Sequence, residues 1–149
     1  MKKNKKIEII GWKEVVDFPD WRIRSMVAKS DTGARSSAID VSRVTKLKGN
    51  KVRFDVVLHR ENRDVTQTIT APISGVSRVR SSNGQVQERF KVKTTLKIGP
   101  VEKEIELSLV NRKQMICRVL LGRTALGSDF LVHSEEKYLF GKRRKTSIV

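Results

Sequence analysis

Residues 28–37 read AKSDTGARSS. An acid, a β-branched hydroxyl, a glycine and an alanine follow a stretch that alternates like a strand. Alone, Asp31-Thr32-Gly33 is turn chemistry: an aspartate caps its own turn and a glycine supplies a positive φ. Its setting argues for more. A carboxylate on a tight loop between two strands is held by rigid elements, which is how a reactive acid is best positioned. A second piece, VLLGRTAL at 119–126, runs an apolar strand into Gly122, then Arg123, then a short helix. Together the two pieces are far more specific than either one.

The elements that must position them follow a period of two. WRIRSMVAKS alternates loosely before the acid, and SAIDVSRV resumes after it. KVRFDVVL and VTQTITAPI flank the polar turn HRENRD. RFKVKTTLKI and VEKEIELSLV meet at Gly99-Pro100. Runs rich in Val, Ile, Thr and Phe, separated by turn residues, are strand signals. Asn83-Gly84 is the strongest short-range hairpin signal, because both residues tolerate positive φ. Only 122–130, GRTALGSDF, reads as helical, for about two turns by its pattern. No repeat is found. The expectation is one all-β domain whose strands close into a barrel to hide their edges. It spans residues 7–140, between a basic arm at 1–6 and a basic tail at 141–149, both read as solvated.

Lys and Arg number 32 against 16 acids, a formal net charge of +16. Charge speaks about partners, not fold. Nucleic acid, ribosomes, anionic lipid and acidic peptides are the candidates. Aromatic residues make up 5% of the chain, which argues against base stacking but not against phosphate contacts. The single cysteine, Cys117, allows no internal disulfide and fits a reducing compartment. The apolar run near the N-terminus is too short for a secretory signal, and no run is long enough to span a bilayer. The expected location is the cytoplasm, with no membrane partner.

With its ordered motifs AKSDTGARSSAID, VRFDVVL, VRSSNGQVQERFKVKTTLKIG, IELSLVNRKQM and LLGRTAL, the chain resembles the bacterial retropepsin-like aspartic proteases of the RimB type. The resemblance covers roughly residues 8–140 and implies a closed acid-protease barrel with one short helix after the Gly-Arg motif. It departs in three places: Ser30 stands before the acid where an apolar residue is usual, Arg118 precedes the VLLG strand, and His133 replaces an acid. The family often carries the label of ATP-dependent zinc protease, and that label fails a chemical test. Zinc proteolysis needs about three His, Cys or carboxylate ligands. His59, His133 and Cys117 form neither HExxH nor CxxC, and GRTALGSD lacks the lysine of a P-loop. Neither metal nor nucleotide cofactor is expected.

Aspartic proteolysis uses two carboxylates about 3 Å apart that share one proton, since both cannot ionise at that distance. One DTG is present, and Asp17, Asp20, Asp40, Asp55, Asp64 and Asp129 lack that setting. The second carboxylate is therefore expected from Asp31 of another copy, across the axis of a homodimer. By the resemblance Thr32 braces the two loops, Gly33 lets the backbone approach, and the hairpin at Asn83 and Gly84 is a flap. Ala34 stands where pepsin-like enzymes carry a hydroxyl. Without that donor the pair is expected to work nearer neutral pH.

Arg35 occupies the place of an aspartate that pairs, in retroviral relatives, with the arginine of the Gly-Arg motif. Arg123 is thus expected to lack its usual partner. Two arginines beside a carboxylate pair want anions, and Arg80, Arg89 and Arg112 extend the same surface. RimB-type proteins accompany a RimK-type ligase that adds glutamates to a ribosomal protein. An acidic peptide, poly-α-glutamate above all, is the expected substrate. A non-catalytic barrel binding RNA or a ribosome, and a protease for neutral peptides, are the alternatives.

Overall fold

The computed structural model describes residues 6–149; residues 1–5 of the basic arm lie outside them. The described strands are β1 (Glu8–Phe18), β2 (Ile23–Ser30), β3 (Ser37–Leu47), β4 (Lys51–Val57), β5 (Thr66–Pro72), β6 (Gly75–Arg80), β7 (Val86–Ile98), β8 (Val101–Val110), β9 (Val119–Leu121), β10 (Phe130–Lys137) and β11 (Ser147–Ile148). The helix α1 (Arg123–Leu126) follows β9, and a 3-10 turn, Pro19–Trp21, joins β1 to β2.

Six strands close a barrel in the order β1-β2-β9-β3-β8-β7, and the circle is completed where Asp17 of β1 meets Lys97 of β7. The β2–β9 and β3–β8 pairs are parallel and the rest of the circle is antiparallel. β10 lies outside, parallel to β1. β4 and β5 extend β3 as a separate antiparallel ladder, and β6 pairs with β7 as a long hairpin. This is the closed all-β barrel that the resemblance implies.

Period-two burial builds the interior. Along β7, Val92, Leu96 and Ile98 are buried while Lys93 and Lys97 are exposed. Ile10, Phe18, Met26, Ile39 and Leu107 join them in the core. Trp21 rests between Phe18 and Phe54, with ring centroids 5.4 and 5.5 Å away, so the 3-10 turn is anchored in the core. Each such side chain contributes about 1.5–3 kcal/mol when fully buried.

β1 changes partners along its length. Glu8–Gly11 and, after a register shift, Lys13 pair with β10, and Lys13–Phe18 pair with β2. At the changeover Glu14 is buried and accepts the amides of Gly11 (2.6 Å), Leu139 (3.0 Å) and Phe140 (3.3 Å). Side-chain capping of this kind satisfies amides that the irregular ladder leaves over.

Two local expectations are corrected. α1 is a single turn rather than two, because Phe130 already belongs to β10. The hairpin tip uses positive φ only at Gly84 (φ 84°), and Asn83 instead accepts hydrogen bonds from Ser81 and from the Gln85 amide. A turn closed by Gly84 N to Ser81 O, then a left-handed glycine, is the three-residue loop with a bulge rather than the two-residue one. The tail at 141–149 ends in β11, which pairs with Ile23 and Arg24 of β2, while Thr146 Oγ1 donates to Ser25 O at 2.9 Å.

Candidate active site

β2 ends at Ser30 and hands the chain to the loop of residues 31–36. Ser30 is 9% exposed, and its hydroxyl donates to the Gly11 carbonyl at 3.1 Å. The unusual serine is therefore a satisfied link between β2 and the bend of β1, and not a polar group left loose beneath Asp31. The Asp31 amide continues the β2–β9 ladder by donating to Leu121 O at 2.8 Å. The base of the acid is fixed by a strand on each side.

The 31–36 loop and the 122–126 turn are laced back to back. Arg123 N donates to Ala34 O (2.8 Å), Thr124 N and Oγ1 both donate to Arg35 O (3.0 Å each), and Gly122 N donates to Ser37 Oγ (2.9 Å). Gly122 is required here, since a Cβ would sit 2.9 Å from Ala34 O and closer still to Ser36 O. The Gly-Arg motif and the acid loop thus form one hydrogen-bonded unit. The Arg123 guanidinium donates to the Thr32 carbonyl at 3.0 Å. Its lost acidic partner is thus replaced by backbone.

Asp31 is half-buried, with Oδ1 accepting the Gly33 amide at 3.2 Å. Thr32 and Gly33 are exposed beside it. Gly33 does not use the left-handed region, which corrects the turn chemistry expected of it. A Cβ there would lie 3.4 Å from the carboxylate oxygen. Among the described residues, no hydrogen bond or ion pair joins Asp31 to a second carboxylate.

The basic residues fall into three places. Arg35 lies on the acid loop and Arg123 beside it, and Arg35 lines a cleft of about 560 Å³ with Lys91, Lys93, Glu104 and Glu106. Arg89 and Arg112 line a second cleft of about 330 Å³. Arg80 is exposed at the end of β6, next to the tip that carries Asn83 and Gly84. Among the described residues no group of three potential metal ligands forms.

The sequence did not reveal the polar centre behind the site. Asp40 is 0% exposed and takes a bidentate pair from Arg63, a bond from Arg118 Nη1, and the Arg112 amide at 3.2 Å. Arg118, the unexpected charge before the VLLG strand, is buried here and also donates to Met115 O. Burial pushes the Arg118 guanidinium below its ordinary value, and the Asp40 charge opposes that fall. Hydrogen bonding to Asp40 raises Arg63. The available signal was an acid inside the apolar run AIDV and an arginine inside CRVLL.

Known proteins resemble this chain. The model of a family described as retropepsin-like aspartic endopeptidase RimB matches residues 9–143. A probable alpha-L-glutamate ligase of Shewanella halifaxensis is 28% identical over 94% of this chain and 31% of its own. A protein of the same name from Desulfotalea psychrophila is 29% identical over 95% of this chain and 31% of its own. The chain thus spans about three-tenths of the curated relatives it matches. Among solved structures, the protein Lpg0085 of unknown function from Legionella pneumophila shares the fold, with a TM-score of 0.76, 22% identity, and coverage of 91% of this chain and 99% of that one. The DTGA loop laced to its Gly-Arg turn, inside a closed six-stranded barrel, belongs to a member of the RimB-like family of retropepsin-like aspartic endopeptidases.

Proposed function

We propose that the chain is an aspartic endopeptidase that acts as a homodimer on glutamate-rich peptides, in the cytoplasm. The observation that carries this reading is Asp31: a half-buried carboxylate on a doubly anchored loop, bonded to no second carboxylate among the described residues. Two copies related by a two-fold axis supply the pair. One Asp31 takes a proton from a bound water, whose oxygen adds to the peptide carbonyl carbon. The protonated Asp31 of the other copy donates to the carbonyl oxygen. Collapse of the tetrahedral species, with proton transfer to nitrogen, breaks the C–N bond.

Both the charge and its placement support an acidic substrate. The net charge is +16, and Arg35 stands on the acid loop itself. The relatives named for glutamate ligation contain a stretch similar to nearly all of this chain within much longer proteins. A peptidase that trims glutamate tails, including tails on a ribosomal protein, would be a natural companion to a ligase that adds them.

The test is incubation with poly-α-glutamate, read by mass spectrometry, with Asp31→Asn alongside wild type. Shortened products from wild type are expected, with a rate at least about 10²-fold to 10⁴-fold lower in the variant. Equal cleavage by both would refute the reading. Binding of the polyanion without cleavage by either would favour a basic binding barrel instead.

A further inference from the structure

Arg89 and Arg112 come from different elements, yet they face one cleft of about 330 Å³. Arg89 lies on β7, paired with Ser77 of β6, and Arg112 follows the end of β8. Between them the lining is mixed: Val44, Phe90, Leu109 and Val110 beside the polar Gln87 and Asn111. Glu88 also lines the cleft and is exposed. Among the described residues neither guanidinium is hydrogen-bonded or ion-paired to an acid. Burial, and then the charge of Arg112, push the Arg89 guanidinium below its ordinary value. Two like charges facing one cleft favour an anion between them.

The position of Arg112 is enforced from behind. Its amide donates to the buried Asp40 carboxylate at 3.2 Å, and the neighbouring Asn111 accepts from Arg63 Nη2 at 3.1 Å. Arg63 and Arg118 hold Asp40 in turn. A buried ion network thus fixes the chain at the foot of an exposed arginine. Such preorganisation lowers the cost of binding a ligand there.

We propose that Arg89 and Arg112 form one two-pronged carboxylate-binding subsite, separate from the cleft that Arg35 lines. It rests on the acidic-peptide reading and deepens it: the groove reads negative charge at a defined point, not only by diffuse attraction. Guanidinium forks suit this task, since each can offer two parallel N–H bonds to a carboxylate. Both prongs serve the same anion, so losing either should cost nearly as much as losing both.

The test measures binding to the Asp31→Asn chain, which needs no catalysis, using a fluorescent glutamate octamer. Arg89→Gln and Arg112→Gln are each expected to weaken binding about tenfold to a hundredfold, and the double variant little further. Lys48→Gln, on an exposed turn, removes the same charge and should change affinity less than twofold. The octamer with an amidated C-terminus tells a side-chain carboxylate from a terminal one. Loss of the arginine effect with the amide assigns the terminal carboxylate, and its persistence assigns a side chain. Arginine variants that bind like Lys48→Gln overturn the subsite. Arginine-dependent binding in a wild-type chain that cleaves nothing would instead refute the peptidase reading and leave the subsite standing.

Discussion

At the scale of the residue, the chemistry turns on what touches the Asp31 carboxylate. Its own turn supplies the Gly33 amide at 3.2 Å, and Ala34 supplies no side-chain donor. An added hydroxyl would favour the ionised form of the acid pair in the proposed dimer, so the general base would survive to lower pH. Ala34→Ser is therefore expected to move the acid limb of the pH–rate profile down by about one pH unit, measured on a glutamate peptide at saturating enzyme. An unmoved limb would show that the hydroxyl does not reach the pair. Asp31, Gly122 and Arg123 were legible because loop chemistry is local: an acid before a glycine, and a glycine that ends an apolar strand. Asp40 and Arg118 were not. They lie 78 positions apart, and only the β3–β9 pairing brings them together. The sequence carries their charges without the register that makes them a pair.

Between residue and barrel, the segment from Asn111 to Arg118 behaves as one element, pinned at both ends by Asp40. The Arg112 amide and the Arg118 guanidinium both end on that carboxylate. Asp40→Asn would leave two arginines facing a neutral amide, a loss of about 3–5 kcal/mol in stability, read as a lower midpoint in urea. Cys117 sits in this segment, 2% exposed, and burial raises its thiol above the ordinary value. Native protein should thus react slowly with iodoacetamide, and Asp40→Asn should react faster at denaturant concentrations where it is still folded. On β7, Thr94 Oγ1 is buried and has no hydrogen-bond partner among the described residues. Thr94→Val keeps the shape and removes that group, and is expected to gain about 1 kcal/mol in the same urea titration. Strands such as β7 were readable from sequence because one face is buried and the other is wet. β1 and β10 were harder. Most of β10 is exposed on both faces, so it has no alternation to read, and β1 bends at Gly11 between two partners.

For the whole molecule, the proposed dimer must form against its own charge. Each protomer brings +16, and like-charged partners repel over roughly a Debye length, about 10 Å at 0.1 M salt. Salt should therefore help the chains associate while it weakens their hold on a polyanion. At limiting enzyme the rate on poly-α-glutamate is expected to rise and then fall as salt increases, whereas a neutral peptide that is cleaved would show only the rise. Mixing separates a shared site from a self-sufficient one. With wild type and Asp31→Asn in equal amounts at constant total protein, random pairing leaves about a quarter of the dimers with both acids. Activity should fall to that fraction after subunit exchange. A chain that carried its whole catalytic apparatus would instead retain about a half, and that result would place the second acid within the same protomer.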